Sequence, residues 1–284
     1  MSDIAHIELI SGNFFEMEVW VDPINKRLRI DDYRGDIATI IAKAEEMMTQ
    51  FHKEKLIIIG RQEHFNDFLQ FGFQCEAMVD GFFRGSDAYY FTKYFEAQRK
   101  ISPSWIVEDG IIHNVQNLPA LNRKTDIPNN YTLRKMEKTD AVSLSSLYKE
   151  VFQIYPTPLH DPDYIQKTMD NGTVYYGFIC DGNIVSCASA EINSFYCNAE
   201  LTDCATLSQH RKFGLMKHLL EILEIELKQQ GIYCAYSIAR AQSFGMNAAL
   251  HQLGFHYRGR LMNNCYIFNK LEDMNVWVKD LSRL

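Results

Sequence analysis

Hydrophobic positions along the chain alternate between two periods. Ile37, Ile40, Ile41, Ala44, Met47, Met48 and Phe51 recur three and four residues apart, which predicts an amphipathic helix from Asp36 to His52. Leu215, Met216, Leu219, Leu220, Leu223 and Leu227 form a second such face, stopped at Gly231. Strand-like runs at Phe14–Val21 and Arg27–Ile30 flank the turn Asp22-Pro23-Ile24-Asn25, and Leu56–Ile59 reads as a buried strand. A short helix, Gly72-Phe73 and further strand follow. Later in the chain a strand at Tyr131–Arg134 precedes Asp140, an N-cap for a helix through Phe152. Beyond prolines 156, 158 and 162 a helix covers about 163–169. Strands follow at Val174–Cys180 and Ile184–Ile192, around Asp181-Gly182-Asn183, and at about Ala199–Leu207. A strand at Tyr233–Ala239 and a short helix come after Gly231.

The order helix, strand, short helix, Gly-Phe occurs twice. Phe68-Leu69-Gln70-Phe71-Gly72-Phe73 matches Leu250-His251-Gln252-Leu253-Gly254-Phe255, and Arg61 and Arg240 stand at the end of the preceding strands. Matching punctuation in the same order indicates a tandem arrangement with a shorter first copy. The expected division is a first domain at 1–100, a connecting segment at 101–130 and a second domain at 131–284. Prolines 103, 119 and 128 mark the connection, in which Trp105–Val107 and Ile111–Val115 read as short strands. Alternating helices and strands place the fold in the α/β (α+β) class, a mixed central sheet flanked by helices.

The 284 residues are 46% hydrophobic and carry a net charge of −7, which argues against nucleic acid or an anionic membrane as partner. The longest aliphatic run is too short to span a bilayer, and no secretory signal is visible at the N-terminus. Seven cysteines without a Cys-x-x-Cys pair suggest reduced thiols in a cytoplasm, and no metal is expected.

The segment Thr206-Leu207-Ser208-Gln209-His210-Arg211-Lys212-Phe213-Gly214-Leu215-Met216 joins a strand to a helix through a loop without carboxylates. Free amides at a helix start bind phosphate, Arg211 and Lys212 add charge, and Gly214 permits close approach. Arg211-x-x-Gly214-x-Met216 resembles the pyrophosphate loop of the GNAT (Gcn5-related N-acetyltransferase) superfamily, in order with the elements from Tyr131 to Phe268. Met216 replaces the usual small residue. The resemblance implies a GNAT fold, a degenerate GNAT-like first copy, and acetyl-CoA as co-substrate. It places the cofactor along Ala205, Thr206, Leu207, Arg211, Lys212, Phe213, Gly214, Leu215 and Met216, with Ser243 and Asn247 near the pantetheine arm.

In that family the strand before the loop splays from its neighbour and can supply the general base, a role Glu200 would take. Alternation puts Glu200, Thr202 and Cys204 on one face and Asp203 on the other. Asp203 and Glu191 are the other candidate carboxylates. The position where the family carries a proton-donating tyrosine is Leu250, so Tyr257, Tyr266 or solvent would have to substitute.

Ser237-Ile238-Ala239-Arg240-Ala241, Gly259-Arg260-Leu261-Met262-Asn263-Asn264, Met274-Asn275-Val276-Trp277 and Gly85-Ser86-Asp87-Ala88-Tyr89-Tyr90-Phe91 resemble the beta-lysine N6-acetyltransferases. That resemblance implies acetylation of the terminal amine of beta-lysine. Arg240 suits either the acceptor carboxylate or a structural ion pair. Asn263 and Asn264 suit the 3-amino group, and Tyr155, His160, Asp161 and Glu191 are further acceptor-site candidates. Two alternatives to this small-molecule enzyme stay open: a protein lysine or N-terminal acetyltransferase, and a non-catalytic acyl-CoA sensor. In the first copy, Tyr33-Arg34-Gly35-Asp36 puts an aspartate where an anion would sit, which disfavours CoA there and leaves a structural or acceptor-site role. A homodimer is compatible with the sequence.

Overall fold

The computed structural model describes residues 5–119, 126–152, 155, 157–267 and 270–282. Residues 120–125 of the connecting segment, Pro156 and Phe268 lie outside the described residues.

The first half supplies strands β1 (His6–Gly12), β2 (Phe15–Asp22), β3 (Arg27–Gly35), β4 (Lys55–Arg61), β5 (Gln74–Phe83) and β6 (Ser86–Tyr94), with helices α1 (Ile37–Gln50) and α2 (Phe65–Gln70). Helix α3 (Trp105–Gln116) leads to β7 (Tyr131–Lys135), α4 (Ala141–Val151) and α5 (Pro162–Asp170). Then come β8 (Val174–Cys180), β9 (Asn183–Asn193), β10 (Asn198–Thr206), α6 (Leu215–Gln229), β11 (Cys234–Arg240), α7 (Phe244–Gln252), β12 (His256–Ile267) and β13 (Lys270–Asp280).

These strands form one sheet in the order β1-β2-β3-β4-β6-β5-β12-β13-β11-β10-β9-β8-β7. The first-half order β1-β2-β3-β4-β6-β5 runs element for element like β8-β9-β10-β11-β13-β12. Each run contains one parallel pair, β3 with β4 and β10 with β11, and the helix between those strands covers one face. Ile40, Ile41, Ala44 and Met48 of α1 pack on Leu28, Ile30, Leu56 and Ile58. Leu219, Leu220, Leu223 and Leu227 of α6 pack on Ala188, Ala190, Ala199 and Ala235. The opposite faces meet each other: Ile57, Ile59 and Tyr90 share a core with Cys234, Val276, Val278, Tyr236 and Ile238.

The seam is narrow and polar. Gly259 of β12 pairs with Ala77 of β5 at a φ of +127°, and a Cβ there would lie 2.3 Å from the Glu76 carbonyl oxygen. Only glycine fits so close a backbone approach. Buried Lys55 donates to Glu76 (2.9 Å) and to the Met262 carbonyl (2.6 Å). Arg27 donates to the Asn264 carbonyl at 3.2 Å, and Arg99 to that of Asn263 at 3.0 Å. Cations of the first half thus satisfy carbonyls of β12, which hydrophobic burial alone would leave costly.

Several elements differ from the sequence expectation. Trp105–Val107 and Ile111–Val115 are not strands but parts of α3, because Ile112 and Val115 three apart reach the core while Ile106 and Val107 stay exposed. Asp140 does not cap α4 with its side chain; its carboxylate accepts from the Glu137 amide and is held by two 2.7 Å bonds from Arg134. The strands β1, β12 and β13 carried no sequence assignment.

Candidate active site

β10 and β11 pair in parallel at Asn198↔Cys234, Ala199↔Ala235 and Glu200↔Tyr236, and the pairing stops there. Beyond it the strands diverge, with the Ser237 hydroxyl donating to the Leu201 carbonyl at 2.7 Å. On the β9 side the register of β10 shifts between Thr202 and Ala205, and Asp203 takes a left-handed φ of +50°. Such a bulge re-aims side chains and frees backbone groups from the ladder. A cavity of about 690 Å³ occupies the divergence, walled by Leu201, Thr202, Asp203, Cys204 and Thr206 on one side and by Ser237, Ile238, Ala239 and Arg240 on the other.

The base of the cavity is the start of α6. A 3-10 turn over Ser208–Phe213 delivers Gly214 at a φ of +66°, and no side chain caps the helix. The first amides of α6 are therefore available to an anion, beside Arg211, Lys212, Gly214, Leu215, Met216 and Lys217 in the cavity wall. Arg211 is steered by a 3.1 Å bond to the Thr206 carbonyl. Ser243 also lines the cavity. A cavity between the diverging strands with a cationic, amide-rich end fits a pantetheine chain with a pyrophosphate.

Other expected cofactor residues point elsewhere. Ala205 is buried in the core around α4, Leu207 packs on both neighbouring cores, and Phe213 lies against Tyr131 with ring centroids 5.3 Å apart. Asn247 is a correction: its amide donates to the carbonyls of Arg240 (2.9 Å) and Ser243 (2.8 Å), and its oxygen accepts from Asn275 and Trp277. Fully buried and fully bonded, it fastens α7 to β11 and β13 and has nothing left for a ligand.

The carboxylates are arranged more closely than alternation implied. Glu200 stands directly across from Glu191 in the antiparallel β9–β10 pair. Burial pushes Glu200 up to about 8, the Glu191 charge adds to the rise, and Arg29 of β3 opposes it. Glu191 is itself raised by burial, with Arg29 again lowering it. Alternation sets Asp203 on the face opposite Glu200, yet the bulge turns it to the cavity, where Thr202, Asp203 and Cys204 all appear. Asp203 accepts from Ser189 at 2.8 Å and bonds Tyr155, and burial pushes it up to about 7. Tyr155 also bonds Thr202 and stacks on Phe152 at 4.5 Å, and burial holds its hydroxyl protonated far above neutrality.

The acceptor candidates divide. Tyr155 and Arg240 line the cavity, whereas exposed His160 does not. Asp161 caps α5 through the Asp163 amide. Arg240 forms a two-pronged pair with buried Glu272 at 2.7 and 2.8 Å, the structural ion pair of its two readings. Asn263 is a correction, since its amide donates to the carbonyls of Arg99 and Ile101 at 2.9 Å and locks the seam. Asn264 is another: it is buried beside Cys265 on the same seam, away from the cavity. Leu250 is fully buried in the α6 core, and neither Tyr257 nor Tyr266 lines the cavity. Tyr155 is the tyrosine that does. Sequence reasoning missed the bulge, Ser189 and Ser237, and Arg29, which nothing in linear spacing connects to β10.

Among the described residues no group of His, Cys, Asp and Glu is placed to hold a metal, and no helix is long and apolar enough to cross a membrane.

The family model for the acetyltransferase (GNAT) family matches residues 141–255. The chain is 39% identical over 260 residues to the N-acetyltransferase YodP of Bacillus subtilis, covering 92% of this chain and 94% of that one. It is 36% identical to a beta-lysine N(6)-acetyltransferase of Methanosarcina mazei, covering 88% of this chain and all of the relative (100%). A second protein of that name, from Methanococcus maripaludis, is 32% identical over 92% of this chain and 95% of its own. Among solved structures, the ribosomal-protein-S18-alanine N-acetyltransferase of Escherichia coli aligns with a TM-score of 0.48 at 19% identity, covering 54% of this chain and 96% of that one. With relatives matched over nearly their whole length, and the diverging strands, bulge and uncapped helix in place, the chain belongs to the GNAT family of acetyl-CoA-dependent N-acetyltransferases.

Proposed function

We propose that the chain transfers the acetyl group of acetyl-CoA to the terminal amine of a small diamino acid, beta-lysine first, by direct attack within a ternary complex. The observation that carries this reading is the divergence of β10 and β11 past Glu200, the last residue at which they pair, around a cavity whose wall holds Thr202, Asp203 and Tyr155. The two relatives named for beta-lysine point to the same acceptor. In this reading residues 131–284 form the catalytic domain, residues 1–100 a degenerate copy and residues 101–130 their connection.

A terminal alkylammonium has a pKa of roughly 10.4 and must lose a proton before it can attack. Glu200, held near 8, takes that proton at mildly alkaline pH. As the amine nitrogen bonds the acetyl carbon, the carbon–sulfur bond breaks and the sulfur leaves with the electron pair. Tyr155, protonated and on the cavity wall, supplies the proton that the thiolate takes up. The β10 backbone past Glu200, no longer paired with β11, offers amide donors to the thioester oxygen, where such donors are worth about 3 kcal/mol. Arg211, Lys212 and the α6 amides hold the pyrophosphate and the phosphate end.

The test is product analysis by mass spectrometry after incubation with acetyl-CoA and beta-lysine. One acetyl group on the terminal nitrogen, formed far more slowly by Glu200→Gln, is the expected result. Acetylation at the 3-amino group, or full activity in Glu200→Gln, would contradict it.

A further inference from the structure

Arg29 belongs to the half of the chain that the family model does not cover, yet its charge acts on carboxylates of the other half. On β3, Leu28 and Ile30 point into the core under α1, so the alternate residues Arg27 and Arg29 point away from it. Arg27 shows what lies on that side, since it reaches the Asn264 carbonyl of β12. Ile57 of β4, the cross-strand partner of Arg29, packs in one cluster with Tyr236, the β11 partner of Glu200. Arg29 is close enough that its charge lowers the proton affinity of both Glu191 and Glu200.

Among the described residues its hydrogen bonds leave one edge open. Asp31 accepts from Nε at 2.5 Å and from Nη2 at 2.8 Å, which occupies one side of the guanidinium fork. The Nη1/Nη2 side, with three more N–H groups, retains the geometry for a second carboxylate. Trp20 sits 5.9 Å from the guanidinium carbon, and the side chain keeps 27% of its surface exposed. Asp31 pairs with this cation, and the cation's charge also acts on Glu18 of the first half and on Glu191 and Glu200 of the second. The surplus negative charge calls for a cationic ligand, and the open arginine edge calls for an anionic group on the same molecule.

We propose that Arg29 receives the carboxylate of the acceptor, so that the first half selects an amino acid carrying two ammonium groups over a plain diamine. This rests on the acetyl-transfer reading above. Orientation follows from it: with the carboxylate held on Arg29, the far amine is the one left to reach Glu200 and the thioester. The first half then acts as part of the acceptor site, and its loss of a cofactor loop is no loss of function.

The experiment compares beta-lysine with 1,5-diaminopentane, which keeps two amines and lacks the carboxylate, in the full chain and in Arg29→Gln. The expected result is a KM for beta-lysine raised roughly 10- to 100-fold, as for loss of a forked charge-assisted bond, with the KM of the diamine much less affected. Arg29→Lys keeps the cation beside Asp31 and guards against a folding defect; it should still raise the beta-lysine KM because the fork is gone. Equal effects on both acceptors, or none, would overturn the assignment while leaving the transferase reading intact. If the wild-type chain acetylates no amino acid at all, both readings fail together.

Discussion

Glu191 and Glu200 stand directly opposite each other on adjacent antiparallel strands, a pairing of like charges that a sheet does not adopt for stability. Two carboxylates at that spacing cannot both ionise readily, so one keeps its proton to a higher pH than a solvated glutamate would. A base matched to an alkylammonium substrate needs this displacement, and Arg29 keeps it from going further.

For the free enzyme, kcat/KM should rise with pH through about 8 as Glu200 becomes the carboxylate. Glu200→Gln should lower kcat/KM by about 10² to 10⁴ while acetyl-CoA binding persists. A pH–rate series with both proteins checks this; a flat wild-type profile between pH 6 and 9 would count against Glu200 as base.

Glu191→Gln removes the facing charge. The rising limb of the profile should then move to lower pH, since the Glu191 charge raises Glu200. The same assay reads it. No movement would mean that burial alone sets the Glu200 value.

Stability should fall as pH rises from about 5 to 8. Glu200 (about 8), Asp203 (about 7) and Glu108 (about 7) bind protons more tightly folded than unfolded. In that window the native state holds more protons, so unfolding free energy decreases with pH. Thermal melts across the range should show a declining midpoint, and Glu200→Gln should flatten the decline.

The two helical faces and the turn glycines were legible because their signals are local. Ile37 through Met48 and Leu215 through Leu227 keep a strict helical spacing, and Gly231 takes the left-handed φ of +74° its position requires. The strand–turn–helix junction at Thr206–Met216 was legible for the same reason, being a contiguous run. Residues whose partners lie far away in the chain were not. Asn263 reads as polar and available until Arg99, 164 positions earlier, is seen to accept from it. Asp203 reads as lying on the face opposite Glu200, because a one-residue bulge leaves no trace in alternation. Arg29 and Glu200 come together only through the facing of two half-sheets.

At the seam, Lys55→Met should cost roughly 3–5 kcal/mol of unfolding free energy, because Glu76 would be left buried without its cation. Denaturant titration measures it. Gly259→Ala should also destabilise, by forcing β12 away from the Glu76 carbonyl.

In the cofactor loop, Gly214→Val places a β-branched residue at a φ of +66°. The acetyl-CoA KM should rise about tenfold or more, with the acceptor KM less affected. Initial rates at varied acetyl-CoA decide it.

The most direct test is the initial rate of CoA release from acetyl-CoA with beta-lysine, alpha-lysine, spermidine and a lysine-containing peptide in parallel. A kcat/KM for beta-lysine at least about tenfold above each of the others is the predicted result. Preferred turnover of the peptide, or acetyl-CoA binding with no amine acetylated, would contradict the account.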